Sequence, residues 1–104
     1  MLAVNGAALF KEAYVNTSDW PDYVFLPGYQ LPSLDEVENY IKANHHLPGI
    51  PSASEMTANG VPLGKTEAAV TKQVEEMMLY IAQLHHEVED LKDEVKELKE
   101  QKGR

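Results

Sequence analysis

Residues 67–101 read EAAVTKQVEEMMLYIAQLHHEVEDLKDEVKELKEQ. Apolar side chains recur in this stretch at alternating steps of four and three, and proline and glycine do not occur in it. Such a heptad repeat is typical of a coiled coil, and a strict seven-residue period predicts a left-handed supercoil. We call the nine apolar residues the seam. Its a positions are Val74, Ile81, Val88 and Val95, and its d positions are Val70, Met77, Leu84, Leu91 and Leu98.

Charged residues beside the seam favour a parallel arrangement of identical chains. Glu87 and Glu94 take g positions, and Lys92 and Lys99 take e positions. In a parallel, in-register coiled coil, a g residue faces the following e residue of the neighbouring chain, so each glutamate would meet a lysine. An exposed pair of this kind contributes about 0.5 kcal/mol or less, so the pairs set orientation more than strength. The alternative is an amphipathic helix packed on its own domain, but the narrow apolar stripe favours the coiled coil.

Composition limits the chain to one small domain and excludes several kinds of partner. Of its 104 residues, about a third belong to the long helix. The remainder forms a thin core that association with other chains would help to stabilise. The net charge of −8 argues against nucleic acid or an anionic membrane surface as a partner. The chain has no cysteine and no apolar run close to the ~20 residues of a membrane span. Its abrupt start suggests a piece of a longer chain.

The first quarter of the chain is predicted to form short strands. Within residues 2–15, apolar and aromatic residues lie on both sides of Asn5-Gly6, a strong tight-turn dipeptide. Both a hairpin and a strand crossing onto a neighbouring chain fit this pattern, and a helix over residues 7–13 is the alternative. A further short strand is predicted for residues 23–25.

Two capping boxes predict two short helices before the long one. Ser33 and Glu36 begin a helix that runs to about Asn44, and a second box in residues 52–55 begins a helix that stops at residues 59–60. The long helix then begins at residue 65 or 66. The predicted fold is therefore α+β and mainly α, with short N-terminal strands and two short helices leading into a coiled-coil helix. Its predicted regions are an N-terminal strand region at residues 1–19, a small cap at 20–64 and the coiled coil at 65–104.

The four histidines form two adjacent pairs, His45-His46 and His85-His86. Neighbouring residues on a helix point about 100° apart, so the helical pair is poorly placed to share one ion. We therefore predict neither a metal site nor a cofactor. Ser18-Asp19, with Lys11 nearby, is better interpreted as a polar turn than as a nucleophilic centre, and no catalytic residue is predicted.

Several motifs together resemble a known family. They are WPDYVF at 20–25, LPSLDEVENYIK at 31–42, HLPGIPSA at 46–53, NGV at 59–61 and LG at 63–64. This block, followed by a coiled coil, resembles the C-terminal segment of bacterial and phage tail-fibre-like surface proteins. Its layout is similar to that of the endosialidase-type intramolecular chaperone domain.

The resemblance implies a C-terminal module that brings three chains into register so that an upstream fibre folds. Its location would be a virion tail fibre, or the bacterial cell surface as a secreted adhesin. Some of these chaperones cleave themselves at a serine within a Ser-Asp-x-Arg-x-Lys pattern. Residues 18–22 lack the basic residues of that pattern, so we predict no self-cleavage and no enzyme activity.

Alternatives to a homotrimer remain open. β-Branched residues at a with leucine at d are typical of two-stranded coiled coils, so a homodimer is the second choice. Another function would be a receptor-binding tip, in which residues 20–29 and 45–51 contact a glycan or a host protein. A self-cleaving peptidase is the third.

Overall fold

The computed structural model describes residues 1–17 and 20–103. A 3₁₀ helix at Pro21–Phe25 is followed by α1 at Leu34–Asn44, α2 at Ala53–Asn59 and α3 at Leu63–Lys102. The molecule measures 77 × 30 × 29 Å, because α3 alone has 40 residues and extends for about 60 Å. Residues 20–62, which we call the head, lie beside the first half of α3.

The N-terminal strands are not found, and the α+β fold class is wrong. All regular structure in the described residues is helical. Residues 1–17 follow an irregular path, and Leu9 and Tyr14 are 99% and 92% exposed. A β-strand requires a neighbouring strand for its backbone hydrogen bonds, and the described chain supplies none to this segment.

The strand predicted for residues 23–25 is also wrong, since these residues belong to the 3₁₀ helix. Pro21 stands at its start, where the missing amide hydrogen of proline costs nothing. A helix with three residues per turn places Pro21 and Val24 on the same side, and both side chains are buried. The 3₁₀ helix packs on α3. Burial every third residue has therefore overridden the strand propensity of Tyr23, Val24 and Phe25.

The two short helices begin where their caps predict. At α1, the Oγ of Ser33 accepts a hydrogen bond from the backbone amide of Glu36 at 3.1 Å. The helix ends at Asn44, and His45 adopts a left-handed conformation with φ 61°. At α2, Ser52 and Glu55 form both hydrogen bonds of the capping box. Both serine caps are confirmed, and the full capping box is confirmed at α2, whereas at α1 the structure shows the serine half of the box.

The long C-terminal helix is present and begins slightly earlier than predicted, at Leu63. The amide of Thr66 donates to the carbonyl oxygen of Pro62 at 3.0 Å and closes the first turn. Gly64 lies in this turn, where a Cβ atom would stand only 2.9 Å from Cγ1 of Val15. The N-terminal segment therefore crosses the start of α3 at close range. Within residues 1–17 and 20–103, no helix has both the length and the apolar character to cross a membrane.

Candidate self-association surface

Two hydrogen bonds attach the loops at the two ends of α1 to α3. The side-chain amide of Gln73 donates to the carbonyl oxygen of Pro48 at 3.0 Å, and the hydroxyl of Tyr80 donates to that of Pro32 at 2.6 Å. Since Pro32 precedes α1 and Pro48 follows it, α1 runs antiparallel to this part of α3. Gln73 and Tyr80 are successive g positions of the heptad repeat. The head therefore covers the g side of α3.

A buried acid holds the loop before α1, which also contains Pro32, to the same helix. Glu76 is only 6% exposed, and its Oε1 accepts a hydrogen bond from the hydroxyl of Tyr29 at 2.5 Å. Burial raises the pKa of Tyr29, and the nearby Glu76 carboxylate raises it further. Glu76 takes a c position, next to g around the helix. The tyrosine thus remains protonated and supplies the donor that a buried carboxylate needs.

The 3₁₀ helix covers the adjacent side of α3, at its b and f positions. The ammonium group of Lys72, at f, stands 5.7 Å from the centre of the Tyr23 ring, within the range of a cation–π contact. Desolvation raises the pKa of Glu75, at b, and the negative charge of the neighbouring Asp22 raises it further. The head therefore spans the b, c, f and g positions in this part of α3.

The seam faces away from these contacts. Each residue turns the helix by about 100°, so the b, c and f positions lie behind the line of a and d residues. All nine seam residues, from Val70 to Leu98, keep between 44% and 62% of their surface exposed. Half-exposed apolar side chains thus form a continuous stripe about 42 Å long. The head leaves this stripe open even where it lies next to it.

The charged residues predicted to flank the seam lie on α3 beyond the head. Glu87, Lys92, Glu94 and Lys99 are all exposed. The ammonium group of Lys92 lies 3.5 Å from Oε1 of Glu89 in its own chain. An exposed pair of this kind is worth about 0–1 kcal/mol, so it opposes a new pairing only weakly. The pairing of Glu87 with Lys92 and of Glu94 with Lys99 of a neighbouring chain remains a prediction.

A groove of about 770 Å³ lies between α1 and α3, and sequence reasoning missed it. Every residue of α1 remains at least partly exposed. The sequence places four apolar residues on one face of α1, which predicts packing but does not show that the packing is incomplete. The groove is lined from α1 by Leu34, Val37, Tyr40, Ile41 and the charged Glu36, and Met77 lines it from α3.

The histidines lie at a helix end or beside another ring. His45 ends α1, and the ring of His46 meets that of Tyr40 edge-on at 5.6 Å between centres. The rings of His85 and His86 lie 5.7 Å apart on the exposed part of α3. Across residues 1–17 and 20–103, no three histidine or acidic residues are grouped so that they would hold a metal ion.

The structure bears differently on the residues named for the other two functions. Ser18 and Asp19, considered as a nucleophilic centre, lie outside the described residues. For a receptor-binding tip, Trp20 is 46% exposed, whereas the hydroxyl of Tyr29 is occupied by Glu76.

Comparison with known proteins gives no relative from which a function is inherited. No family model matches the chain, and no curated protein or solved structure matches it.

Proposed function

We propose that the chain associates with copies of itself through the seam, as a parallel homotrimeric coiled coil, and serves as the C-terminal registration and folding module of a fibrous protein. The observation that carries this proposal is the open seam. Nine apolar residues form an exposed stripe along α3, while the head is attached to other sides of the same helix.

Burial of the seam supplies the driving force. Removing the exposed half of a valine or leucine side chain from water contributes on the order of 1 kcal/mol, and each chain offers nine such residues. Exposed apolar patches of this extent on small proteins mark interaction surfaces. The described part of the single chain buries few side chains, chiefly Pro21, Val24, Glu76 and Tyr80. Association would supply the core that the single chain lacks.

The parallel orientation of the chains and their number are supported by different observations. The Glu87–Lys92 and Glu94–Lys99 pairs support parallel chains in register. The resemblance to tail-fibre-like proteins supports three chains, although valine and isoleucine at a with leucine at d are typical of two. A trimer at the end of a fibre would hold three upstream segments together while they fold. Such a protein would act on a virion tail or at a bacterial surface.

Replacing Ile81 and Val88 together by aspartate tests the proposal. Two carboxylates in the seam would have to be buried in any coiled coil, so we expect a monomer with a lower Tm. The double variant Ala82→Asp with Gln83→Asp is the matched control, because it adds the same charge at the exposed b and c positions. The control should keep the mass of the unmodified protein. If the seam variant also kept its mass and Tm, the proposal would be wrong.

A further inference from the structure

The g residues of α3 change character where the head ends. Gln73 and Tyr80, the two g residues beside the head, donate hydrogen bonds to its loops. Glu87 and Glu94, the next two, are exposed and carry charge. A neighbouring chain that approaches the seam would therefore meet the head along the first half of α3 and bare glutamates along the second half.

The e residues change in step with the g residues. In the parallel register, Glu87 faces Lys92 of the neighbouring chain, and Gln73 faces its Met78. Met78 lies outside the seam and is 56% exposed. Lysine thus occupies e where the facing g residue is a free glutamate. Methionine occupies the e position that faces Gln73, and His85 occupies the e position that faces Tyr80.

The surface opposite Met78 is apolar and open beside the seam. Leu34 and Ile41 of α1 line the groove and remain 43% and 39% exposed. Met77, a d residue of the seam, also lines the groove, so the groove and the seam share an edge. The hydrogen bonds of Gln73 and Tyr80 lie at the two ends of α1. In a parallel coiled coil, Gln73 would meet Met78 of the neighbouring chain at a level along α3 between these two bonds.

We propose that the groove between α1 and α3 of one protomer receives the Met78 side chain of the neighbouring protomer. This inference rests on the proposed parallel association and specifies the second contact that the association uses. A flexible, polarisable methionine suits an irregular groove lined by the rings of Tyr40 and Tyr80. The g-to-e relation is the same in a dimer and a trimer, so the contact does not depend on the number of chains.

The contact would select the register of the chains. A slip of one heptad leaves the seam filled with apolar residues but places Thr71 or His85 opposite the groove. Both side chains are more polar than methionine, and they would leave the apolar lining poorly covered. The head would thereby favour the in-register alignment over the shifted ones, which the repeated a and d pattern alone would also allow.

Cross-linking between chains tests the inference directly, because the natural chain has no cysteine. Full-length chains carrying Val37→Cys and Met78→Cys separately, one with a size tag, are mixed unfolded, refolded together and oxidised. A bond between the two positions can then form only between chains. We expect a mixed-size product on a denaturing gel. The control replaces Val37→Cys by Glu38→Cys, the next residue along α1, whose side chain is 62% exposed, and should give several-fold less product.

A cysteine at the seam separates the two proposals. Leu91→Cys, at a d position, should link to its copy in a parallel coiled coil. If residue 91 forms its link but residue 78 links equally well to residues 37 and 38, the groove contact is wrong and the association through the seam stands. Absence of both linkages, with a monomer mass, would overturn both proposals.

A second variant measures the groove contact without cysteines. We expect Met78→Glu to lower the Tm of the assembly, because it places a carboxylate in an apolar groove. The matched variant Ala82→Glu adds the same charge at an exposed b position and should leave the Tm nearly unchanged. Equal Tm values for the two variants would contradict the inference.

Discussion

Glu76 is a buried acid at the contact between the head and α3. A carboxylate at 6% exposure is costly unless hydrogen bonds replace its hydration. The hydroxyl of Tyr29 supplies such a bond from a position 47 residues away in the chain. The spacing of residues in the sequence gives no sign that Tyr29 has an acidic partner.

Replacing Tyr29 by phenylalanine should destabilise the protein by roughly 1.5–3 kcal/mol, the usual worth of a hydrogen bond to a charged group. The ring remains to fill its site, so the loss isolates the hydroxyl. The measurement is urea unfolding of the full chain near neutral pH. Tyr14→Phe is the control, because Tyr14 is 92% exposed in the N-terminal segment. A loss as small as that of the control would contradict the role given to this bond.

The same pair predicts a dependence on pH. Burial and Glu76 raise the pKa of Tyr29 above its ordinary value of about 10, so the folded state holds this proton more tightly than the unfolded state. Its contribution to stability is fully present below about pH 10 and decreases as the pH rises towards the folded-state pKa. The difference in the free energy of unfolding between the unmodified protein and Tyr29→Phe should therefore narrow between about pH 10 and 12. A constant difference across that range would contradict this prediction.

Among the elements, the start of α3 is shaped by the N-terminal segment that crosses it. Gly64→Ala should disturb this crossing, because the new Cβ would meet Val15 at 2.9 Å. Alanine is otherwise favoured over glycine in a helix by up to about 1 kcal/mol. We expect the double variant with Val15→Ala to be more stable than the sum of the two single variants predicts. Thermal unfolding of the four proteins measures this coupling, and strict additivity would contradict it.

The helices could be predicted from sequence because their signals are local. The serine caps of α1 and α2 and the heptad repeat of α3 each lie within or next to the element that they define. The strand predictions were wrong, because whether a segment forms a strand depends on a neighbouring strand and not on its own residues alone. Aromatic and β-branched residues at 23–25 have strand propensity, but burial of Pro21 and Val24 against α3 decides their conformation.

The candidate site could be predicted only in part, because part of it depends on contacts between residues that are distant in sequence. The seam is visible as a repeat within one helix. The groove depends on which side of α3 the head covers, and that is fixed by bonds spanning 25 residues from Pro48 to Gln73 and 48 residues from Pro32 to Tyr80. The heptad repeat assigns Gln73 and Tyr80 to g positions, but it does not show that the loops of the head bind to these residues.

As a whole, the molecule is a small head on one side of a helix that extends far beyond it. Its length of 77 Å and its two short cross-dimensions leave most of α3 without cover from its own chain. In proteins a helix gains most of its stability from packing of its apolar face, so under the proposed association other chains would stabilise the second half of α3. Attachment of the head away from the seam keeps both halves of that face available.

Light scattering coupled to size exclusion, applied to the full chain, tests self-association most directly. Three copies through the seam predict a mass of three times 11.6 kDa. Twice 11.6 kDa would retain the seam and replace the trimer by the dimer that its a and d residues favour. A mass of 11.6 kDa at all concentrations would contradict self-association and, with it, the proposed function.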